Sequence, residues 1–264
     1  MDKYNVYQDM SRRTGGEIYL GIVGPVRTGK STFIKRFMEL VVIPEMSDDN
    51  EKVRTIDELP QPADGKTIMT TEPKFIPKEA AVIHFSNQET GKIRLIDCVG
   101  YLVPEAVGAI EEEKERMVKT PWSEEEIPFS KAAEIGTSKV IREHSNLGLI
   151  ITTDGSFGDI PAVNFEEALQ KTVMECEKAG KPFLILVNTS RPDSQETIQF
   201  TKRLEAQYGK TVMAVNCKTM DREDVFRIME QLLADFPITR LNFLLPKWVE
   251  FLQPDNWLKQ DLIE

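Results

Sequence analysis

Two hydrophobic periods alternate along most of this chain. Ile18-Tyr19-Leu20-Gly21-Ile22-Val23 is a continuous apolar run of strand length, and Thr32 to Leu40 places its apolar residues at helical spacing. Ala81 to Phe85 and Ile93 to Asp97 read as two further strands, joined by a polar hairpin turn at Asn87-Gln88-Glu89-Thr90-Gly91. From Ser130 onward the pattern is regular: helix 130–143, strand 147–152, helix 164–178, strand 183–187, helix 193–207, strand 212–215 and helix 221–236. The last three helices each begin beside an Asn or Asp able to cap them. Alternating strands and helices imply an α/β fold, a mostly parallel sheet with helices on both faces. The early hairpin makes one strand antiparallel.

Two stretches interrupt the pattern. Residues 43–77 open acidic (Ser47-Asp48-Asp49-Asn50-Glu51) and close with Pro60, Pro62, Pro73 and Pro77. They read as one long irregular insertion, which inside a domain is functional or disordered. Residues 101–129 form a second insertion, with Glu111-Glu112-Glu113 and Glu124-Glu125-Glu126 read as solvated loop or helix surface. After Pro237 the pattern changes. Leu241 to Leu245 is compatible with a strand, and Trp248, Phe251, Trp257 and Leu258 need burial. The expected organisation is one domain over 1–237, with 238–264 either packing back on it as a tail or opening a second domain.

Composition narrows the classes. With 264 residues, 41% of them hydrophobic, a sizeable core is available. No apolar run reaches membrane-spanning length, and the polar start does not read as a secretory signal. Cys98, Cys176 and Cys217 lack metal-ligand spacing, so a reducing cytosol is the expected compartment. A net charge of −10 without a Lys/Arg block argues against nucleic acid and anionic lipid as direct partners. His84, in a strand-like run, and His144, at a helix end, read as structural.

The chemistry lies between the first strand and the first helix. Gly24-Pro25-Val26-Arg27-Thr28-Gly29-Lys30-Ser31 fits G-x-x-x-x-G-K-[ST], the phosphate-binding loop. Its backbone N–H groups, from Gly24 through Thr32, and the helix N-terminus face phosphate oxygens. Lys30 reaches the β and γ phosphates, and Ser31 offers a hydroxyl to Mg²⁺. Strand 93–97 ends in Asp97-Cys98-Val99-Gly100, a D-x-x-G whose Asp serves Mg²⁺ and whose Gly100 amide meets the γ-phosphate. Between them, Thr70 and Thr71 sit where a switch segment needs a threonine for Mg²⁺ and the γ-phosphate; the sequence does not separate the two. This order of motifs points to a P-loop NTPase of the GTPase-like (TRAFAC) class.

Base recognition departs from that class. Where N-K-x-D would follow the strand ending near Val187, the chain reads Asn188-Thr189-Ser190-Arg191. The missing Asp would accept two guanine donors in charge-assisted bonds of about 1.5–3 kcal/mol each. Guanine selectivity is therefore expected to be lost. Adenine's ring acceptor suits Arg191 or Asn188, unless Arg191 points into solvent. Tyr101 follows the D-x-x-G where some GTPases carry a water-orienting Gln. Water is then positioned by Thr70, Thr71 or a residue of another subunit. Arg27 either places a positive charge near the β–γ bridge, where cation-dependent members bind K⁺, or is an exposed contact for a partner.

These residues resemble the ATPase domain of the stage IV sporulation protein A family. The similarity runs through Arg13-Thr14-Gly15-Gly16, the phosphate loop to Phe33, Glu58-Leu59-Pro60, Gly65 to Phe75 and Asp97 to Tyr101. It continues through Thr120-Pro121-Trp122, Ala133 to Thr137 and Ile151 to Gly155. The resemblance implies a GTPase-like fold adapted to ATP, with Lys30, Thr70, Thr71 and Asp97 as loop lysine, sensor threonines and magnesium-site acid. It implies a cytoskeletal-type ATPase that polymerises as the basement layer of the spore coat, at the outer forespore surface in the mother-cell cytosol. Implied partners are other copies of itself, a small amphipathic membrane peptide and further coat proteins. Family members continue well past a position equivalent to Glu264, into domains that carry the peptide docking, so a fragment is expected. The alternative is a GTPase-like switch without self-assembly, acting through a partner that reads Thr70 and Thr71.

Overall fold

The computed structural model describes residues 17–46, 48–60, 72–86, 89–106, 110–111 and 114–234, with 253, 256 and 257. The buried run Glu17–Val23 forms β1, and α1 (Lys30–Phe37) leaves the glycine turn that follows it. That helix continues through a π-helical turn, Met38–Val42, and a final helical turn, Ile43–Glu45. Next come α2 (Asp49–Glu58) and the antiparallel pair β2 (Lys74–Ser86) and β3 (Glu89–Asp97). Two small ribbons pair β4 (Ile110–Glu111) with β5 (Lys114–Glu115), and β6 (Met117–Thr120) with β7 (Ser123–Pro128). Then α3 (Phe129–Lys139) runs into a π-helical turn ending at His144. The rest of the chain alternates: β8 (Leu147–Thr153), α4 (Glu166–Ala179), β9 (Phe183–Asn188), α5 (Gln195–Tyr208), β10 (Val212–Val215) and α6 (Arg222–Ala234).

The central sheet has the order β10-β9-β8-β1-β3-β2. All its pairs are parallel except β2 with β3. Every residue of β8 and β9 is buried, as a parallel sheet covered on both faces requires. One face packs Ile18, Leu20, Leu149 and Leu184 against Phe33, Ile34 and Phe37 of α1 and Val225, Ile228 and Leu232 of α6. The other packs Val23, Ile150, Ile185 and Val187 against Ile141, Leu169, Val173 and Leu204. The α/β fold, parallel but for one antiparallel strand, agrees with the sequence pattern. Its parallel strands end along one edge, where such folds place their ligands.

Several expectations need correction. Residues 43–77 are not one irregular loop. The acidic opening is the start of α2, where Asp48 accepts a hydrogen bond from the Asn50 amide at 2.8 Å and Asp49 and Glu51 occupy the first turn. Carboxylates there satisfy free N–H groups and oppose the helix dipole. At the other end β2 begins at Lys74, and its register shifts between Ile76 and Ala81, where Pro77 sits on the sheet edge. Glu124, Glu125 and Glu126 are exposed as expected, but on β7, a strand wet on both faces. The expected caps hold for α6, where Asp221 Oδ1 accepts from the Asp224 amide at 2.9 Å. They fail for α5, capped by Ser194, and for α4, which a 3-10 turn over Ala162–Phe165 leads in without a side-chain cap.

Glu89 to Gly91 belong to β3 rather than to the hairpin turn. His144 packs edge-on against Phe75, 5.3 Å between ring centres. The strand expected at 241–245, and Trp248, Phe251, Leu258, Glu112, Glu113 and the His84 side chain, lie outside the described residues. Trp257 is described and 69% exposed.

Candidate functional site

The C-terminal ends of β1, β3, β8 and β9 bring together four segments that are far apart in sequence. Gly24 leaves β1 at φ 128, and a β-carbon on it would fall 2.3 Å from the Ile151 carbonyl oxygen. Gly29 starts α1 at φ 92, and a β-carbon there would fall 2.3 Å from Asn188 Nδ2. Gly100, also at φ 92, stands where a β-carbon would meet Gly24 O at 1.9 Å and Lys30 Nζ at 2.8 Å. Gly24 and Gly100 therefore let the phosphate loop approach β8 and the D-x-x-G turn at their backbones, and Gly29 makes room for the Asn188 side chain at the end of β9. Arg27 adopts φ 63 in the same loop with an exposed side chain, a left-handed conformation that costs a non-glycine residue about 1–2 kcal/mol.

Lys30 is buried, and its Nζ donates to Pro25 O at 2.5 Å and Gly24 O at 3.3 Å. Burial pulls its pKa below the usual lysine value, opposed by the neighbouring Asp97. Ser31 Oγ donates to Asp97 Oδ2 at 3.2 Å. Asp97 Oδ1 is buried without a hydrogen-bond partner among the described residues. Burial raises the Asp97 pKa, against the lowering influence of Lys30 and of the Ser31 hydroxyl. Thr28 is buried and donates to Pro25 O at 3.0 Å, and Thr32 is half-buried in the first turn of α1. Thr70 and Thr71 lie outside the described residues.

Tyr101 faces away from water chemistry. Its ring is buried with Val26, Val103, Ile160 and Phe165, and its carbonyl accepts from the Val26 amide at 2.9 Å. Burial raises its pKa well above the tyrosine value, helped by Glu175 and Glu134. The residue after the D-x-x-G thus packs against the phosphate loop. Cys98 beside it is also structural, its thiol pushed up to about 11 by burial.

The structure separates the two residues assigned to the base. Asn188 Nδ2 donates to Thr28 O at 3.0 Å, and its Oδ1 accepts from the Cys217 amide at 3.0 Å. Its amide thus braces the phosphate loop against the end of β10. Arg191 is exposed and pairs with Glu196 at 3.2 Å, a surface ion pair worth about 0–1 kcal/mol. Sequence reasoning missed the residues between them. Thr189 is fully buried and donates to Asp154 Oδ2 at 2.6 Å. No local pattern signals this bond, because the partners are 35 positions apart.

A mostly parallel sheet, a G-x-x-x-x-G-K-S turn between β1 and α1, and an acid at the end of the adjacent β3 define a P-loop nucleoside-triphosphatase domain of the GTPase-like class. The family model for the ATPase domain of stage IV sporulation protein A matches residues 1–237. The chain belongs to this family of ATPase domains. It is 48% identical over 264 residues to stage IV sporulation protein A of Bacillus subtilis (strain 168), covering 100% of this chain and 54% of that protein. The Bacillus anthracis protein of the same name matches at the same identity and coverage. The Clostridioides difficile (strain 630) protein is 47% identical over 259 residues, covering 98% of this chain and 53% of that one. The chain thus spans about half the length of the curated relatives it matches. A crystal structure of an SsGBP mutation variant superposes over 89% of this chain and 64% of its own, with TM-score 0.45 and 13% identity. Among the described residues, no helix is long and apolar enough to cross a membrane.

Proposed function

We propose that this domain binds MgATP in the turn between β1 and α1 and hydrolyses it to drive assembly of copies of the protein. The assembly is a basement layer of the spore coat on the forespore, in the mother-cell cytosol. The amphipathic membrane peptide and other coat proteins would engage parts of the longer relatives outside the matched half. One observation carries the nucleotide reading: Ser31 and Asp97 meet beside the buried Lys30, and one buried Asp97 oxygen is unpaired among the described residues.

That pair suits a hard cation that prefers oxygen ligands and keeps several waters and phosphate oxygens. Among the described residues, no group of three or more His, Cys, Asp or Glu gathers as a metal cage. A magnesium held by Ser31, Asp97 and the proposed Thr70 and Thr71 would neutralise charge developing on the phosphates. The protein's own part is binding and orientation. Gly24, Thr28, Gly29, Lys30, Ser31 and Thr32 supply the cradle. Lys30 exchanges its loop carbonyls for phosphate oxygens, which relieves an ammonium now held in a desolvating site. The Gly100 amide closes the far side.

ATP is preferred over GTP because no carboxylate stands at position 191, where the base-reading acid would be. Arg191 brings donors to the adenine acceptor once it leaves Glu196. Competition between ATP and GTP at fixed Mg²⁺, read by displacement of a fluorescent nucleotide, tests this. ATP should win, and equal or tighter GTP binding overturns the reading.

A further inference from the structure

The loop after β9 is fastened from two sides. Asn188 ties it to the phosphate loop through Thr28 O. On the other side it is tied to the loop after β8 by a closed set of hydrogen bonds. Thr189 Oγ1 donates to Asp154 Oδ2 at 2.6 Å and accepts from the Arg191 amide at 3.1 Å. Asp154 Oδ1 accepts from the Ser156 amide at 3.0 Å, and Ser156 Oγ accepts from the Ser190 amide at 2.8 Å. A hydroxyl has one proton to donate. With that proton committed to a carboxylate, the Thr189 lone pairs face the Arg191 amide, so the direction of every bond is fixed. A side chain at 189 that followed a nucleotide outward would be exposed. Thr189 is instead 0% exposed.

We infer that Asp154 and Thr189 are positioning residues for nucleotide discrimination: together they set the backbone from which position 191 is presented to the base. This rests on the proposed binding of ATP at the β1–α1 turn. Neither side chain needs to touch the nucleotide. Their effect is on which base fits, and not on how tightly phosphates are held, because the phosphate cradle has its own brace in Asn188.

The test uses the full chain and three variants: Thr189→Val, which keeps the shape and removes the hydroxyl; Thr189→Ser, which keeps the hydroxyl; and Asp154→Ala. Affinities for ATP, GTP and inorganic tripolyphosphate are measured with Mg²⁺, alongside the melting temperature. Thr189→Val and Asp154→Ala should each lose about tenfold of the ATP-over-GTP preference, the scale of one hydrogen bond to a charged group. Tripolyphosphate affinity should stay within about twofold of wild type on the same energy scale. Thr189→Ser should keep the preference. If the variants retain the wild-type ATP-to-GTP ratio, or lose tripolyphosphate in step with ATP, the positioning role is overturned. A wild-type chain with no ATP preference would instead overturn the nucleotide reading beneath it. Should Asp154→Ala fail to fold, the Val and Ser pair at 189 decides alone.

Discussion

Ser31 Oγ donates to Asp97 Oδ2 across 3.2 Å, joining the first turn of α1 to the end of the adjacent parallel strand. The bond satisfies one carboxylate oxygen and leaves the other buried and unpaired among the described residues. Burial of an ionised carboxylate in this arrangement carries a cost, and that cost is measurable.

Asp97→Asn should therefore stabilise the nucleotide-free chain at neutral pH, because the amide carries no charge for burial to penalise. The sign follows from the pKa. Burial raises Asp97 above its ordinary 3.8, so the folded state disfavours the ionised form. That penalty is fully present above the raised folded-state value, shrinks as pH falls through it, and is gone below 3.8. Melting curves of both proteins between neutral and mildly acidic pH should converge on acidification. An Asn variant less stable than wild type at neutral pH contradicts this.

Binding and turnover should separate at different residues. Lys30→Ala removes a charged donor from the phosphates and should weaken ATP binding by about ten- to a hundredfold. The double change Thr70→Ala with Thr71→Ala should leave affinity nearly intact and slow hydrolysis, since a γ-phosphate sensor matters once Mg²⁺ is in place. Wild-type turnover in the double variant removes the sensor assignment. Isothermal titration and single-turnover rates read the two effects independently.

Arg27 is proposed to supply the charge that cation-dependent relatives take from K⁺. Hydrolysis should then be indifferent to replacing K⁺ with Na⁺ at constant ionic strength. A steep K⁺ requirement would assign the exposed Arg27 side chain to a partner contact instead.

Tyr101 is packed into a core, so no side chain directly after the D-x-x-G is free to orient water. A residue completing such a site from a neighbouring molecule contributes about 10³–10⁵ in rate. Specific ATPase activity should accordingly rise with protein concentration in step with oligomer content, followed by sedimentation. Constant activity per molecule from dilute monomer to concentrated oligomer places the whole site in one chain.

Much of this was legible in the residues. Buried parallel strands such as β8 and β9 are continuous apolar runs, and the phosphate loop is a fixed spacing read without tertiary knowledge. What escaped depended on context. α2 hid in an acidic stretch because charges that suggest a solvated loop also cap a helix, as Asp48 does. β7 showed no alternation at Glu124 to Glu126, since neither face of that ribbon is buried there. Asn188 suits the base by its type, while the partners it holds here, Thr28 and Cys217, are set by the sheet order. The Asp154–Thr189 bond joins two loops that only the adjacency of β8 and β9 brings together.

The bracing of Thr28 by Asn188 has a consequence for how nucleotides are sorted. Because Asn188 ends β9 and grips the phosphate loop at Thr28, the spacing between the proposed base-side and phosphate-side loops is set by a bond present without nucleotide. On the proposed function the domain would work as a caliper whose opening is set in advance. A ligand of matching span settles without ordering these loops and avoids that entropic cost. One with a longer or shorter tether between base and phosphates would have to break the Asn188–Thr28 bond to fit, and would be sorted by length as well as by chemistry.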